Sequence, residues 1–342
     1  MATAVIVEGA RTPIGTFLGS FAETTTVELG TIAAVEAMRR SDVTPEQIDQ
    51  TILGHARQAG NGPNTGRQVS VRAGVPVDIS GYNVNMACGS GMKAVQLGAQ
   101  QIALGDAEVI LAGGMENMTR VPYLLPDMRL GHRLGNTEVV DAMYRDGLLD
   151  PLCDLVMGET AENLVDRYDI SREEQDGFAL ESQQKAATGA ERRGAEMIAV
   201  EARHRRGTVT VEADEHPRPD TTLASLAKLP PVFREGGSVT AGNSSGLTDG
   251  AAAMVLMDEE RAKAEGRTPL APFRRRRARH RCSSRPATHR DRSSRLGDIR
   301  QSQILVVGQA STSPSRSSAL QAGIASLCAW RLHPRFLLRK EL

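Results

Sequence analysis

The sequence has little that would build a membrane protein, a disulfide framework or a metal centre. No apolar run among its 342 residues approaches the roughly 20 residues that a membrane span requires. No basic and apolar leader precedes the first strand-like segment, at residues 4–7, so we expect a cytoplasmic protein. The four cysteines, at positions 88, 153, 282 and 328, form no Cys-x-x-Cys pair and no metal-ligand spacing, which argues against disulfides and zinc.

Acidic side chains are scarce in the last part of the chain and basic ones are in the minority before it, although 41 basic and 41 acidic side chains balance overall. Residues 271–342 hold 16 of the basic side chains, 15 of them Arg, and only 3 acidic ones, a net of +13. The first 270 residues keep the other 25 basic and 38 acidic side chains, a net of −13. A composition rich in Arg, Ser and Pro is typical of a GC-rich gene translated in a shifted frame, and also of a basic disordered segment. We therefore expect residues 271–342 to be largely unstructured.

What is present is the pattern of an α/β protein, with 40% apolar and 24% charged residues. Residues 3–258 alternate short apolar strands with capped helices, which predicts a mostly parallel sheet. The predicted strands are 4–7, 51–55, 82–87, 108–112 and 250–257; the predicted helices begin near 25 and 44 and cover 65–73, 89–104, 171–188 and 258–265. We predict a layered N-terminal α/β domain at 1–118, an inserted loop lobe at 119–246 and a return to the first domain at 247–270.

The segment Asn-Met-Ala-Cys-Gly-Ser-Gly, residues 85–91, carries the strongest chemical signal. It places Cys88 between a buried strand and a helix that glycine opens. Unpaired amides and the helix dipole at such a position favour a thiolate, and the same amides suit the oxyanion of a thioester carbonyl. A lone cysteine is more often a small buried apolar residue. The flanking glycines and the strand–helix junction favour the nucleophile here.

The Cys88 segment resembles the nucleophile motif of thiolases, and other segments resemble signatures of that family in the same order. These are Arg-Thr-Pro-Ile-Gly (11–15), Gly-Gly-Met-Glu-Asn-Met (113–118), Met-Gly-Glu-Thr-Ala-Glu-Asn (157–163), Ser-Arg-Glu-Glu-Gln-Asp (171–176) and Val-Thr-Ala-Gly-Asn-Ser-Ser-Gly-Leu-Thr-Asp-Gly-Ala-Ala-Ala (239–253). Residues 141–150 are similar to the lobe of thiolases of the acetoacetyl-CoA type, although Val156 stands where many of those enzymes have a histidine. The resemblance covers about the first 270 residues and implies an acetyl-CoA acetyltransferase.

The resemblance implies roles for particular residues. Cys88 would accept an acyl group from an acyl-CoA and pass it to a second coenzyme A thioester, without a cofactor or metal. Arg218, Ser225, Ser244 and Ser245 match positions that contact coenzyme A, and Met157 matches a position in the acyl pocket. A homo-oligomer formed through the N-terminal domain is also implied. Taken alone, Arg218 is more readily explained as a solvated loop charge, and the serines at 243–246 as part of a turn. We further predict that Cys88 lies close to the turn at residues 243–246.

Thiolases carry a second half, which supplies a Gly-His-Pro loop and a Cys-x-Gly-Gly-Gly segment, and residues 271–342 contain neither. The histidine of that half activates the nucleophile, so we expect impaired activity and a frame change near codon 271. A non-catalytic truncated thiolase with a basic tail is one alternative, and another condensing enzyme of the ketoacyl synthase kind is a second. We do not expect nucleic-acid binding, because Phe273, Trp330 and Phe336 are the tail's only aromatics. We interpret the histidines at 55, 132 and 204 as surface or loop residues.

Overall fold

A mixed β-sheet organises the chain, which a computed structural model describes over residues 2–204 and 207–273. The strands are β1 (Ala4–Arg11), β2 (Gly15–Thr16), β3 (Gln50–Gly54), β4 (Gly81–Val84), β5 (Val109–Asn117), β6 (Tyr123–Leu124), β7 (Val140–Asp141), β8 (Leu149–Asp150), β9 (Leu155–Val156), β10 (Val200–His204), β11 (Gly207–Val211), β12 (Thr248–Asp258) and β13 (Ala271–Pro272). The helices are α1 (Thr26–Ser41), α2 (Thr65–Arg72), α3 (Ser90–Leu104), α4 (Met157–Tyr168), α5 (Arg172–Thr188), α6 (Ala190–Glu196), α7 (Leu223–Ala227) and α8 (Glu259–Ala264). Residues 271–342 are predicted to be unstructured. Of these, residues 274–342 lie outside the described residues.

The main sheet has the order β13-β1-β12-β5-β3-β4, with β2 paired to one end of β12. The predicted α/β class is confirmed, but the prediction of a mostly parallel sheet is wrong. Only β3 runs parallel to its neighbours β4 and β5, while β12 is antiparallel to both β1 and β5. The reason is the connection: β12 enters the sheet after the long segment at 118–247, and no single crossover helix fixes its direction.

Alternating side chains on the strands build a core on each face of the sheet. Leu53, Val109 and Leu111 face the side covered by α1, whereas Ile52 and Ile110 face the side covered by α3. Helix and strand residues together fill both cores, so the described chain forms helix, sheet and helix layers.

The predicted helix caps are confirmed at α1 and α5. Thr25 and Glu28 form a reciprocal capping box at the start of α1, and Ser171 and Glu174 form another at the start of α5. The predicted helix at Thr44 is wrong. Only a 3-10 turn, Pro45–Gln47, forms there, because the chain must enter β3 three residues later.

A buried charge cluster ties the segment after α6 to the end of β1. Arg11, only 5% exposed, donates from Nη1 to Asp214 Oδ1 at 2.7 Å and from Nε to Glu196 Oε1 at 2.7 Å. Burial acts to lower the pKa of Arg11, but the two carboxylates outweigh it and raise that pKa. Because its partners compensate the buried charge, the cluster fixes Glu196 and Asp214 against the end of β1.

Strand β5 continues five residues beyond its predicted end, through Gly113 and Gly114. A side chain at Gly113 would clash with the carbonyl oxygen of Ala252 on the neighbouring β12. The glycines are therefore part of the sheet, where they let two backbones pair closely, and do not mark the end of the strand.

We expect Gly113→Ala to lower the free energy of unfolding by about 2 kcal/mol or more, because the obstructing atom belongs to the backbone and cannot rotate away. Gly177→Ala is the matched control. Gly177 lies within α5, and a side chain there would meet nothing within 4 Å. That substitution should stabilise the protein by about 0.5–1 kcal/mol through helix propensity. Urea unfolding followed by circular dichroism measures both, and equal effects would contradict the assignment.

Candidate active site

Cys88 lies in the short connection between β4 and α3, two residues before the helix begins. Its side chain is partly exposed, and Ala87 before it has the left-handed value φ 46°. Such a conformation is uncommon for a residue with a Cβ. The connection is therefore a tight turn that presents Cys88 at the N-terminal end of α3, as the sequence predicted.

Hydrogen bonds within the turn hold it in shape. Ser90 Oγ accepts from the amide of Met86 at 2.9 Å and donates to the carbonyl of Ala87 at 2.6 Å. The amides of Gly89 and Ser90 donate to the carbonyls of Met86 and Ala87. The expectation that unpaired amides here would receive an oxyanion is thus wrong for residues 89 and 90, because the tightness of the turn gives both amides partners inside it.

Three glycines allow the start of α3 to lie directly on the sheet. A Cβ at Gly54, the last residue of β3, would clash with the backbone of Ser90 and Gly91. A Cβ at Gly114 on β5 would come 3.1 Å from Gly91 Cα. The turn at 85–90, called the nucleophile turn below, therefore sits against Gly54 of β3 and Gly114 of β5 with no side chain between them; its name refers to the predicted role of Cys88.

His55 lies in a loop, as one of the two predicted alternatives has it, but it is not a surface residue, since it is 1% exposed. It follows β3 directly, and its Nδ1 lies 2.8 Å from Thr65 Oγ1. Its Nε2 lies 3.3 Å from Glu116 Oε1, without the alignment of a hydrogen bond. Burial follows from position, because the chain at 55–57 passes beneath the nucleophile turn. His132 is exposed as predicted, and the side chain of His204 lies outside what the structure describes.

Glu116 is the site-adjacent residue that the sequence analysis missed. It is 7% exposed near the end of β5, and its carboxylate accepts from the amides of Ala56 at 2.9 Å and Arg57 at 3.1 Å. An acidic residue inside an otherwise apolar strand was the signal that could have found it, because a buried carboxylate needs such partners.

Met157 begins α4 and is half-buried. The helix is fixed through buried Glu162, whose Oε1 accepts from the amides of Ser238 and Val239, each at 2.8 Å. A side chain at Gly158 would clash with the ring of Phe233. The segment at 233–239 therefore determines where Met157 lies.

Arg218 and Ser225 are exposed, and each forms hydrogen bonds with backbone groups of its own loop. Arg218 Nη1 donates to the carbonyls of Glu215 at 2.7 Å and His216 at 3.1 Å, while its amide donates to Gln183 Oε1. Ser225 Oγ accepts from the amide of Thr222 at 3.0 Å and so caps α7. These contacts are structural, and coenzyme A contacts at both residues remain predictions.

The turn that holds Ser244 and Ser245 lies beside both of these loops. A side chain at Gly246 would clash with the ring of His216, and one at Gly242 would come 2.7 Å from Leu226 of α7. The structure therefore brings the neighbourhoods of Arg218, Ser225 and the two serines together. The predicted approach of Cys88 to this turn stays a prediction.

Two further carboxylates organise the loop at 16–20, which leads away from β2. Glu215 accepts from the amide of Thr16 at 2.7 Å. Burial acts to raise the pKa of Glu215, but hydrogen bonds from Ser20 and Thr16 outweigh burial and lower that pKa. Asp249 accepts from Thr119 Oγ1 at 2.6 Å, and burial raises the pKa of Asp249 despite this bond. Thr119 Oγ1 in turn accepts from the amide of Leu18 at 2.8 Å. Apart from the acidic residues themselves, no pattern in the sequence pointed to this arrangement.

Neither a metal cluster nor a spanning helix appears in the part of the chain that the structure covers. Within residues 2–204 and 207–273, no group of three or more His, Cys, Asp or Glu side chains could hold a metal ion. Across the same ranges, no helix combines the length and apolarity needed to cross a membrane.

Comparison with known proteins identifies the family. The family model for the thiolase N-terminal domain matches residues 4–260. The chain is 47% identical over 274 residues to the acetyl-CoA acetyltransferase of Pseudomonas aeruginosa, covering 79% of this chain and 70% of that protein. It is 46% identical over 270 residues to that of Allochromatium vinosum, covering 78% and 68%. The crystal structure of the Bacillus anthracis acetyl-CoA acetyltransferase superposes with a TM-score of 0.77 at 45% identity, covering 80% and 69%. The chain belongs to the thiolase family.

Proposed function

We propose that this chain is an acetyl-CoA acetyltransferase in which Cys88 carries the acetyl group. The observation that carries the proposal is the turn at 85–90, which presents a partly exposed thiol at the N-terminal end of a 15-residue helix. A helix dipole favours negative charge at this end, and a thiolate is the form of cysteine that attacks a carbonyl. The names of the relatives support the same reaction.

The proposed reaction has two steps, a thioester exchange and a carbon–carbon bond formation. The Cys88 thiolate attacks the carbonyl carbon of acetyl-CoA, a new C–S bond forms, and the coenzyme A thiolate leaves with the electron pair of the broken C–S bond. A base then takes a proton from the α-carbon of a second acetyl-CoA, and the carbanion attacks the acetyl carbonyl carbon, so that a C–C bond forms, the C–Sγ bond breaks, Cys88 leaves as a thiolate and acetoacetyl-CoA is released. Thiolysis is the reverse. Neither step oxidises or reduces the substrate, so the proposed reaction requires no cofactor.

The coenzyme A part of the proposal rests on Arg218, Ser225, Ser244 and Ser245. The structure gathers their loops around His216 and α7, and Arg218 and Ser225 are exposed. An exposed guanidinium suits the nucleotide phosphates, and hydroxyls suit the amide groups of the pantetheine arm. Met157, at the start of α4, would line the acyl pocket.

We further propose that this chain turns over slowly. Within residues 2–204 and 207–273, no side chain hydrogen-bonds the Cys88 thiol, so these residues supply orientation but no proton acceptor. The loss of a positioned general base typically costs about 10²–10⁴ in rate. The family histidine that the resemblance assigns to this task has no counterpart motif in residues 271–342.

We also propose a homo-oligomer in the cytoplasm. The two described cysteines are free thiols, which suits a reducing compartment. In the described sheet β4 is the last strand, so its outer edge is available to pair with a second copy. Light scattering of the purified chain should give at least twice its 36.7 kDa mass, and a monomer at micromolar concentration would contradict the proposal.

Alkylation tests the nucleophile. We expect iodoacetamide to modify Cys88 faster than Cys153, Cys282 or Cys328, because Cys88 lies in a fixed turn at a helix N-terminus. Without a base the preference should be modest. Peptide mass spectrometry over a time course measures all four rates in one sample. Equal labelling of the four thiols in folded protein would contradict an activated Cys88.

Turnover tests the impairment. The 342-residue chain should show little or no thiolysis of acetoacetyl-CoA, whereas a version whose reading frame is restored after codon 271 should be at least about 10²-fold faster. Translation of codons 270–275 in all three frames defines that version, and Cys88→Ala in it is the control for background hydrolysis. Comparable turnover from both chains would show that the proposed impairment is wrong.

A further inference from the structure

A path of hydrogen bonds runs from Glu116 through the peptide of Ala56 and the side chain of Asn85 to Ala87, the residue before Cys88. We propose that Glu116 and Asn85 are positioning residues, which hold the nucleophile turn in the conformation that presents Cys88. The proposal rests on the function proposed above, because it assumes that the orientation of the Cys88 thiol matters for its reactivity.

The path begins at the buried carboxylate of Glu116. Its Oε2 accepts from the amide of Ala56 and its Oε1 from that of Arg57, so one side chain fixes two successive peptide groups after β3. Bonds to an ionised acceptor are stronger than bonds between neutral groups. His55, with Nδ1 close to Thr65 Oγ1, packs its Nε2 against the same carboxylate. The peptide at 55–57 therefore has little freedom to move.

The second step is the side chain of Asn85, which bridges this peptide to the turn. Asn85 Nδ2 donates to the carbonyl of Ala56 at 3.1 Å, and Asn85 Oδ1 accepts from the amide of Ala87 at 3.0 Å. Asn85 is exposed, so neither bond can be explained as the satisfaction of a buried polar group. The carboxamide thus connects the fixed peptide to the residue before the nucleophile.

The third step is the backbone of Ala87. Its φ of 46° is unfavourable for an alanine, and such a conformation persists only where neighbouring bonds enforce it. The Asn85 bond acts on its amide, and Ser90 Oγ acts on its carbonyl. Loss of the Asn85 bond should let the turn relax and should change the direction in which Cys88 Sγ points.

The experiment compares alkylation of Cys88 with that of exposed Cys153 in the full chain. Because both thiols are in one molecule, the ratio of their rates with iodoacetamide is independent of reagent and protein concentration. The variants are Glu116→Gln, which keeps the shape of the side chain but removes its charge, Asn85→Ala, which removes both bonds, and Asn85→Asp, which keeps the acceptor for Ala87. Gln68→Ala is the control, since Gln68 bonds to the carbonyls of Asn61 and Pro63 and lies outside the path.

We expect Glu116→Gln and Asn85→Ala to remove the preference and bring the ratio down to about one, Asn85→Asp to lower it less, and Gln68→Ala to leave it unchanged. Partial rescue by Asp is the result that a general loss of stability would not give. If circular dichroism shows that Glu116→Gln unfolds, the variants Asn85→Ala and Asn85→Asp still test the proposal, because Asn85 is exposed. Folded Asn85 variants with the ratio of the unmodified chain would overturn the proposal. A ratio near one in the unmodified chain would instead overturn the proposed function.

Discussion

The close contact between the start of α3 and the sheet is the constraint on which the rest of the site depends. At Gly54, Gly91 and Gly114 the backbones of a helix and two strands meet with no side chain between them. Because the helix begins so near the sheet, the chain that leaves β4 has only five residues in which to reverse into it. A connection this short requires the left-handed Ala87 and leaves Cys88 at the end of the helix, facing outward.

Buried carboxylates then fix the segments around this contact. Glu116 holds the peptide after β3, Glu162 holds the segment at 238–239 against α4, and Asp249 holds Thr119 after β5. In each case the carboxylate accepts from backbone amides, which are the groups that an irregular loop leaves unpaired. These acids make the loops of the site part of the folded core, so loss of any one of them would leave buried amides unsatisfied.

Local patterns in the sequence predicted local structure well, and they failed where a distant segment decides the outcome. The capping boxes at Thr25 and Ser171 and the start of the helix after Cys88 depend on neighbours within a few residues, and they formed where they were predicted. The strand before Cys88 ends at Val84, three residues before its predicted end. The direction of β12, the continuation of β5 through Gly113 and the burial of His55 depend on partners 55 or more residues away. Hydrophobic periodicity carries no information about such partners. In the sequence, a glycine that ends an element cannot be told from one that lets a neighbouring backbone come close.

Orientation and proton transfer have separate physical sources in this chain. Within the part of the chain that the structure describes, the contacts that orient Cys88 come from residues between 54 and 116. A proton acceptor would have to approach the thiol from its exposed side, where the described residues contribute no hydrogen-bond partner. Formation of the acyl thioester needs mainly a directed thiolate, whereas carbon–carbon bond formation needs a base at the α-carbon as well. Under the proposed function, the turn at 85–90 would therefore serve acyl acceptance, and a base at the α-carbon is a separate requirement of the step that joins two acyl groups.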